Sequence, residues 1–239
     1  GIVAHGKAGK TSLTEALLYS AGMVTRLGKV VEGSATTDYE PEEIRRKITI
    51  GSTMAPCEWL DTKINFIDTP GFVDFLAEVK GAVRAVDSAL VVLCATAGVE
   101  VETERVWRYA DEAKLPRLIF VNKMDRETKD PFDLLDELEE ELVIGVRPLT
   151  WPIESGPRFK GVYNIYESNL NLFQPSKQVV TEKVEIDINT EELDNNIGSE
   201  LANKLREDLD LISGVYPEFN VDDYLSGSLA PVFFGSALN

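Results

Sequence analysis

Residues 4–11 read AHGKAGKT, and this order of small, basic and hydroxyl residues is what a phosphate cradle requires. Gly9 lets backbone N–H groups curl around an anion, and the helix that begins at Lys10 turns its partly positive end toward the same point. Lys10 reaches terminal phosphates, and Thr11 offers a hydroxyl to magnesium. The pattern G-x-x-x-x-G-K-[ST] is complete except that Ala4 replaces the first glycine, which keeps the position small. His5, Gly6, Lys7, Ala8 and Ser12 complete the loop and first turn, and His5, the chain's single histidine, is expected to fix the turn.

Three further segments fit the same chemistry. Asp68 ends the apolar run INFI and is followed by Thr69, Pro70 and Gly71. A carboxylate at the carboxyl end of a strand faces the ligand crevice of a parallel sheet, where it can orient magnesium through water. Gly71 then offers an unobstructed backbone N–H. Asn122, Lys123 and Asp125 belong to NKMD, at the end of RLIFVN. Asp125 can accept two N–H bonds from a guanine edge, which adenine cannot supply because it lacks the N1–H and the 2-amino group. In GSAL, the backbone around Ser236, Ala237 and Leu238 can touch the guanine carbonyl. Together the four segments select GTP or GDP with Mg2+ as ligands.

The elements that must hold these groups follow from periodicity. GIVAH ends a strand and Lys10 to Gly22 reads as a helix, followed by a long polar loop over residues 26–50. MAPCEW, KINFID, SALVVLCA and RLIFVN read as strands, the last two as buried runs. Phe75, Val79, Ala82, Val83 and Val86 recur at helical spacing, as do Val106, Tyr109, Ala110 and Ala113, and then Leu134, Leu135, Leu138 and Leu142. The alternation implies a mostly parallel α/β sheet flanked by helices. After residue 144 the pattern changes. TWPI, VYNIYE, LNLF and VVTEKVEIDI are strand-like, a helix follows around Ser199 to Ile212, and APVFFGSA restores a buried strand. Residues 1–144 are therefore expected to form the core, 145–230 an inserted α+β subdomain, and 231–239 the last core strand and its loop.

The formal charge of -17 is unevenly spread. Up to Arg126 there are 16 Lys and Arg against 18 Asp and Glu, and from Glu127 onward 8 against 23. So acidic a second half cannot grip nucleic-acid phosphates directly, which excludes sequence-specific nucleic-acid binding by that half. Cys57 and Cys94 lie in apolar surroundings without metal-ligand spacing and read as reduced core thiols of a cytoplasmic protein. No window approaches ~18 uninterrupted apolar residues, so no membrane span is expected. The chain opens on GIVAH without an initiating Met and stops at GSALN, which reads as an excised segment.

The order AHGKAGKT, RRKITI, DTPG, NKMD and GSAL resembles the GTPase domain of a translation factor, the P-loop GTPase fold with an insert before its last strand. Residues 1–126, with TDYEPEEIRRKITI and LPRLIFVNKMDR, are most similar to elongation factor G and its paralogues. Residues 127–239, with DPFDLLDELEEEL, FKGVYNIYE and PVFFGSAL, resemble peptide chain release factor 3. The resemblance implies a monomeric, ribosome-dependent GTPase whose main ribosome contacts lie in domains outside this chain. It leaves open translocation or release-factor recycling, and, as alternatives, a nucleotide switch or a chimeric domain with little or no hydrolysis, the two-part mosaic being compatible with a natural, recombined or engineered sequence. It gives Thr49 the role of the threonine that closes on magnesium when GTP binds, so that Thr11, Thr49 and Asp68 form the metal set. Lys7 stands where the resembling loops carry an Asp that helps hold a monovalent cation, and either replaces that cation or is solvated. Phe72 stands where they usually carry a water-positioning His; phenylalanine has neither donor nor acceptor, so hydrolysis is expected to be slow.

Overall fold

The computed structural model describes residues 1–173 and 181–237. In chain order the elements begin with β1 (Ile2–Val3), α1 (Lys10–Ser20), α2 (Pro41–Arg46), β2 (Thr53–Trp59), β3 (Thr62–Asp68) and α3 (Leu76–Val83). They continue with β4 (Ala89–Cys94), α4 (Val101–Glu112), β5 (Arg117–Asn122), α5 (Pro131–Leu142), β6 (Gly145–Pro148), β7 (Thr150–Ile153), β8 (Gly161–Asn164) and β9 (Asn169–Phe173). Last come β10 (Thr181–Glu185), α6 (Glu191–Ile197), α7 (Ser199–Val215), α8 (Val221–Ser226) and β11 (Leu229–Phe234). Among the described residues these strands form a seven-stranded sheet ordered β2-β3-β1-β4-β5-β11-β6 and a four-stranded sheet ordered β10-β9-β8-β7. The large sheet is parallel except for β2, which pairs antiparallel with β3. The small sheet is antiparallel throughout.

Alternation along β4 divides the core into two layers, because successive strand side chains point to opposite faces. Ala89, Val91 and Leu93 pack with Val79 and Val83 of α3, Val106 and Ala110 of α4, and Leu134, Leu135 and Leu138 of α5. Val92 faces the other way, with Ile2, Ala4, Ala8 and Leu13 beneath α1. Of the helical stripes read from the sequence, Val79, Ala82, Val83, Val106, Ala110, Leu134, Leu135, Leu138 and Leu142 are buried, Tyr109 and Ala113 pack against the core, and Phe75 and Val86 are only partly buried outside it. The two cysteines are buried free thiols.

Residues 26–50, expected as a long polar loop, also hold short helical elements. A 3-10 turn spans Val30–Glu32, and α2 forms because Pro41 presets its first turn while Glu40 and Glu43 make a reciprocal capping box. Residues 145–148, placed by the sequence reading in the insert, form β6 and pair with β11 of the large sheet. Four residues carry too little pattern to show such a long-range pairing. The chain then crosses to the small sheet at Leu149, whose N–H donates to Val232 O while its carbonyl accepts from Ile165 N. Residues 174–180, which include the start of the expected VVTEKVEIDI strand, lie outside the described residues.

Candidate functional site

β1 lies between β3 and β4, so the connections leaving it and its neighbours diverge, and a crevice opens at the carboxyl ends of the parallel strands. The loop after β1 enters that crevice in a conformation only its glycine accepts readily. Gly9 has φ 103°, and a Cβ there would drive into Asn122 Nδ2. α1 follows at once, its first-turn N–H groups directed at the crevice. A cavity of about 400 Å³ results, lined on the loop side by Gly6, Lys7, Gly9, Lys10, Thr11 and Ser12. Thr49, Gly71, Phe72, Asn122, Lys123, Ser236 and Ala237 line it as well. Most residues that the sequence singles out are therefore brought to one cavity.

Ala4, His5 and Ala8 are buried behind the loop. The carbonyls of Ala4 and His5 accept from Lys10 Nζ at 3.4 and 3.2 Å, and His5 Nδ1 lies 3.1 Å from Thr103 Oγ1 at the start of α4. His5 thus ties the loop to α4. Burial lowers the Lys10 pKa to about 8, against the nearby carboxylates of Asp68 and Asp38, which raise it. Lys7 is exposed with φ 64°, and its carbonyl accepts from Lys123 Nζ at 2.5 Å. Gly71 brings the turn after β3 against this loop: a Cβ there would collide with Lys10 Nζ. The Phe72 ring lies over Gly6, where an added Cβ would be 3.2 Å from Phe72 Cε1. Thr69 and Pro70 are buried, and Thr69 Oγ1 donates to Ile2 O at 2.7 Å, so they fix the turn rather than line the cavity.

Five oxygen-bearing side chains converge beside Lys10. Thr11 Oγ1 is 2.9 Å from Thr49 Oγ1, Thr49 Oγ1 donates to Asp38 Oδ1 at 2.7 Å, and Thr37 Oγ1 donates to Asp68 Oδ2 at 2.9 Å. Asp38 Oδ2 and Asp68 Oδ1 are buried with no hydrogen-bond partner. Desolvation raises the Asp68 pKa to about 6 in spite of Lys10, and raises that of Asp38 as well. Buried orphan carboxylate oxygens cost free energy, and a hard divalent cation takes oxygen ligands of this kind. The donor set therefore fits magnesium. Thr37 and Asp38 were missed from the sequence; the only available signal was a carboxylate within a polar loop that had no pattern of its own.

The base side is built around Asn122. Its Nδ2 donates to Ala8 O at 2.9 Å, and its Oδ1 accepts from Lys123 N at 2.9 Å and Ala237 N at 3.0 Å, joining three loops. Asp125 is tied to the cavity wall through Ser236, whose Oγ donates to Asp125 Oδ1 at 2.7 Å. Leu238 lies outside the described residues. Residues 27–31, with Lys47, Ile48 and Arg126, were not singled out as site residues from the sequence and also line the cavity.

Among the described residues no helix is long and apolar enough to cross a membrane. The crystal structure of a protein from Thermus thermophilus shares this fold with a TM-score of 0.78 at 30% identity, over 99% of this chain and 37% of that one. The chain thus spans well under half the length of that protein. The family model described as the elongation factor Tu GTP binding domain matches residues 1–239, and with the sheet order and the loops around the cavity this places the chain in the family of elongation factor Tu GTP binding domains.

Proposed function

We propose that this chain is the GTP-binding and GTP-hydrolysing domain of a ribosome-dependent translation factor of the elongation factor G or release factor 3 class, acting as a nucleotide switch. The observation that carries the reading is one cavity, bounded at one end by Lys10, Thr11 and Thr49 and at the other by Asn122, Lys123 and Ser236. A triphosphate lies against the loop and the base against Asp125, Ser236 and Ala237. We assign residues 231–239 to the core and 145–230 to an insertion, with β6 contributed to the core sheet. The ribosome is the partner, engaged mainly by domains outside this chain.

In this reading, water attacks the γ-phosphorus, the bond to the β–γ bridging oxygen breaks, and GDP and inorganic phosphate form with release of the water's proton. Backbone N–H groups of residues 6–12 and the Lys10 ammonium hold the phosphates as charge moves onto the leaving oxygen. Thr11, Thr49, Asp68 and Asp38 would hold magnesium, which supplies charge neutralisation at the β- and γ-phosphates. Gly71 presents its N–H on the γ side. Phe72 occupies the cavity wall with a ring that cannot orient water, which favours a second reading as a switch with slow turnover. Single-turnover GTP hydrolysis with and without ribosomes separates the two. Ribosome stimulation of at least about a hundredfold, the scale of a positioned proton-transfer group, supports the first, and unchanged slow turnover supports the second.

A further inference from the structure

Glu15 is 1% exposed although it is a carboxylate. It stands one helical turn after Thr11 on α1, so both residues share a face of the helix. Its two oxygens are used separately: Oε2 accepts from Gly28 N at 3.0 Å and Oε1 from Thr36 N at 2.5 Å. A Cβ on Gly28 would collide with Glu15 Oε2 and stand 2.5 Å from Ser34 O, so only glycine allows the backbone this close.

The segment pinned at these two points is a closed tongue. Within it Lys29 N donates to Ser34 Oγ at 3.0 Å, Ser34 N to Lys29 O at 3.1 Å, and Gly33 N to Val30 O at 3.0 Å. Its tip meets α2, where a Cβ on Gly33 would lie 2.8 Å from Ile44 Cγ2. One side of the tongue, residues 27–31, is cavity wall. The residues that follow it, Thr37 and Asp38, bond to Asp68 and Thr49 in the oxygen cluster.

We infer that Glu15 is a positioning residue for the nucleotide site: by taking the N–H groups at both ends of the tongue, it sets the cavity wall and delivers Thr37 and Asp38 to the metal-binding oxygens. The helix that binds the phosphates with its first turn thereby holds, with its second, the loop that closes on the metal. Glutamine has one acceptor oxygen where glutamate has two, so Glu15→Gln releases one end of the tongue with little change of volume. Thr36→Pro removes the N–H from the opposite partner at a position whose own side chain is exposed.

This inference rests on the reading of the cavity as a magnesium and guanine-nucleotide site, so the test has an arm that needs no ligand. In limited trypsin digestion of the nucleotide-free chain, both variants are expected to be cut faster after Arg26 and Lys29 than the unmodified chain; equal rates overturn the pin. In the second arm, release of a fluorescent non-hydrolysable GTP analogue is followed with magnesium and with EDTA. A lost hydrogen bond to a charged group corresponds to at least about tenfold faster release with magnesium, and a metal-linked effect shrinks to within about twofold in EDTA. Equal acceleration in both conditions, or none with magnesium, overturns the positioning role. If release from the unmodified chain ignores magnesium while the trypsin arm succeeds, the tongue is pinned but the metal reading fails, and the role proposed for Glu15 fails with it.

Discussion

Ser236 Oγ donates to Asp125 Oδ1 at 2.7 Å, linking the loop after β11 to the loop after β5. The hydroxyl restricts rotation of the carboxylate that, in the proposed reading, receives the guanine edge. Asp125→Asn turns an acceptor into a donor and should move preference from guanine toward xanthine, whose 2-position is a carbonyl. The lost pairing should cost on the order of 1–3 kcal/mol in GTP binding. Competition of GTP and XTP against a fluorescent nucleotide checks both parts; an unchanged rank order refutes the role of Asp125.

Two glycines ten residues apart should respond oppositely to alanine. At Gly71 a Cβ would drive into Lys10 Nζ, His5 O and Gly6 Cα, whereas at Gly81 in α3 nothing lies within 4 Å. Overpacking costs about 1–3 kcal/mol, so Gly71→Ala should lower the melting temperature by roughly 2–10 °C for a domain of this size. Gly81→Ala should stabilise by about 0.5–1 kcal/mol through helix propensity. Thermal melts of both variants decide it, and a neutral Gly71→Ala contradicts the close approach of the two loops.

The four chemical segments were legible because each is contiguous and sits at the end of a strand whose hydrophobic pattern is strong. The tongue and its pin were not legible. Glu15 in TSLTEALL reads as a solvated helix position, and only burial against Gly28 and Thr36 shows its use. Asp38 likewise gains meaning only when the fold lays it beside Thr49. The edge strand β6 was hidden for a related reason, since its pairing partner lies more than eighty residues away in sequence.

The pH dependence of the nucleotide-free chain follows from two opposed shifts. Asp68 has a folded pKa of about 6 against an ordinary value of 3.8, so between those values the folded state binds more protons and stability falls as pH rises. Lys10 has a folded pKa of about 8 against 10.5, so between those values the unfolded state binds more protons and stability rises with pH. Melting temperature should therefore decline from about pH 4 to 6 and recover above about pH 8. Asp68→Asn should weaken the acidic decline, the remainder coming from Asp38, whose pKa burial also raises, and an unchanged decline in that variant would assign the effect to another group.

Phe72 lines the cavity next to Gly71 with a ring that has neither donor nor acceptor, and in the proposed reading it stands where the attacking water would be oriented. Phe72→His, placed in a chain that includes the ribosome-contacting domains, should raise single-turnover hydrolysis on ribosomes by at least about tenfold, within the range of positioned proton-transfer groups. If the unmodified protein already turns over as fast as a His-bearing elongation factor, another group positions the water.

The most direct test of the whole account is the affinity of the 239-residue chain for GTP and for ATP, measured by titration calorimetry with magnesium present. A site that reads the base through Asp125 should prefer GTP by at least about a hundredfold, since an unmet buried polar group costs about 1–3 kcal/mol and adenine leaves more than one unmet. Equal affinity for the two nucleotides, or binding of neither, would contradict the reading of this cavity as a GTP site.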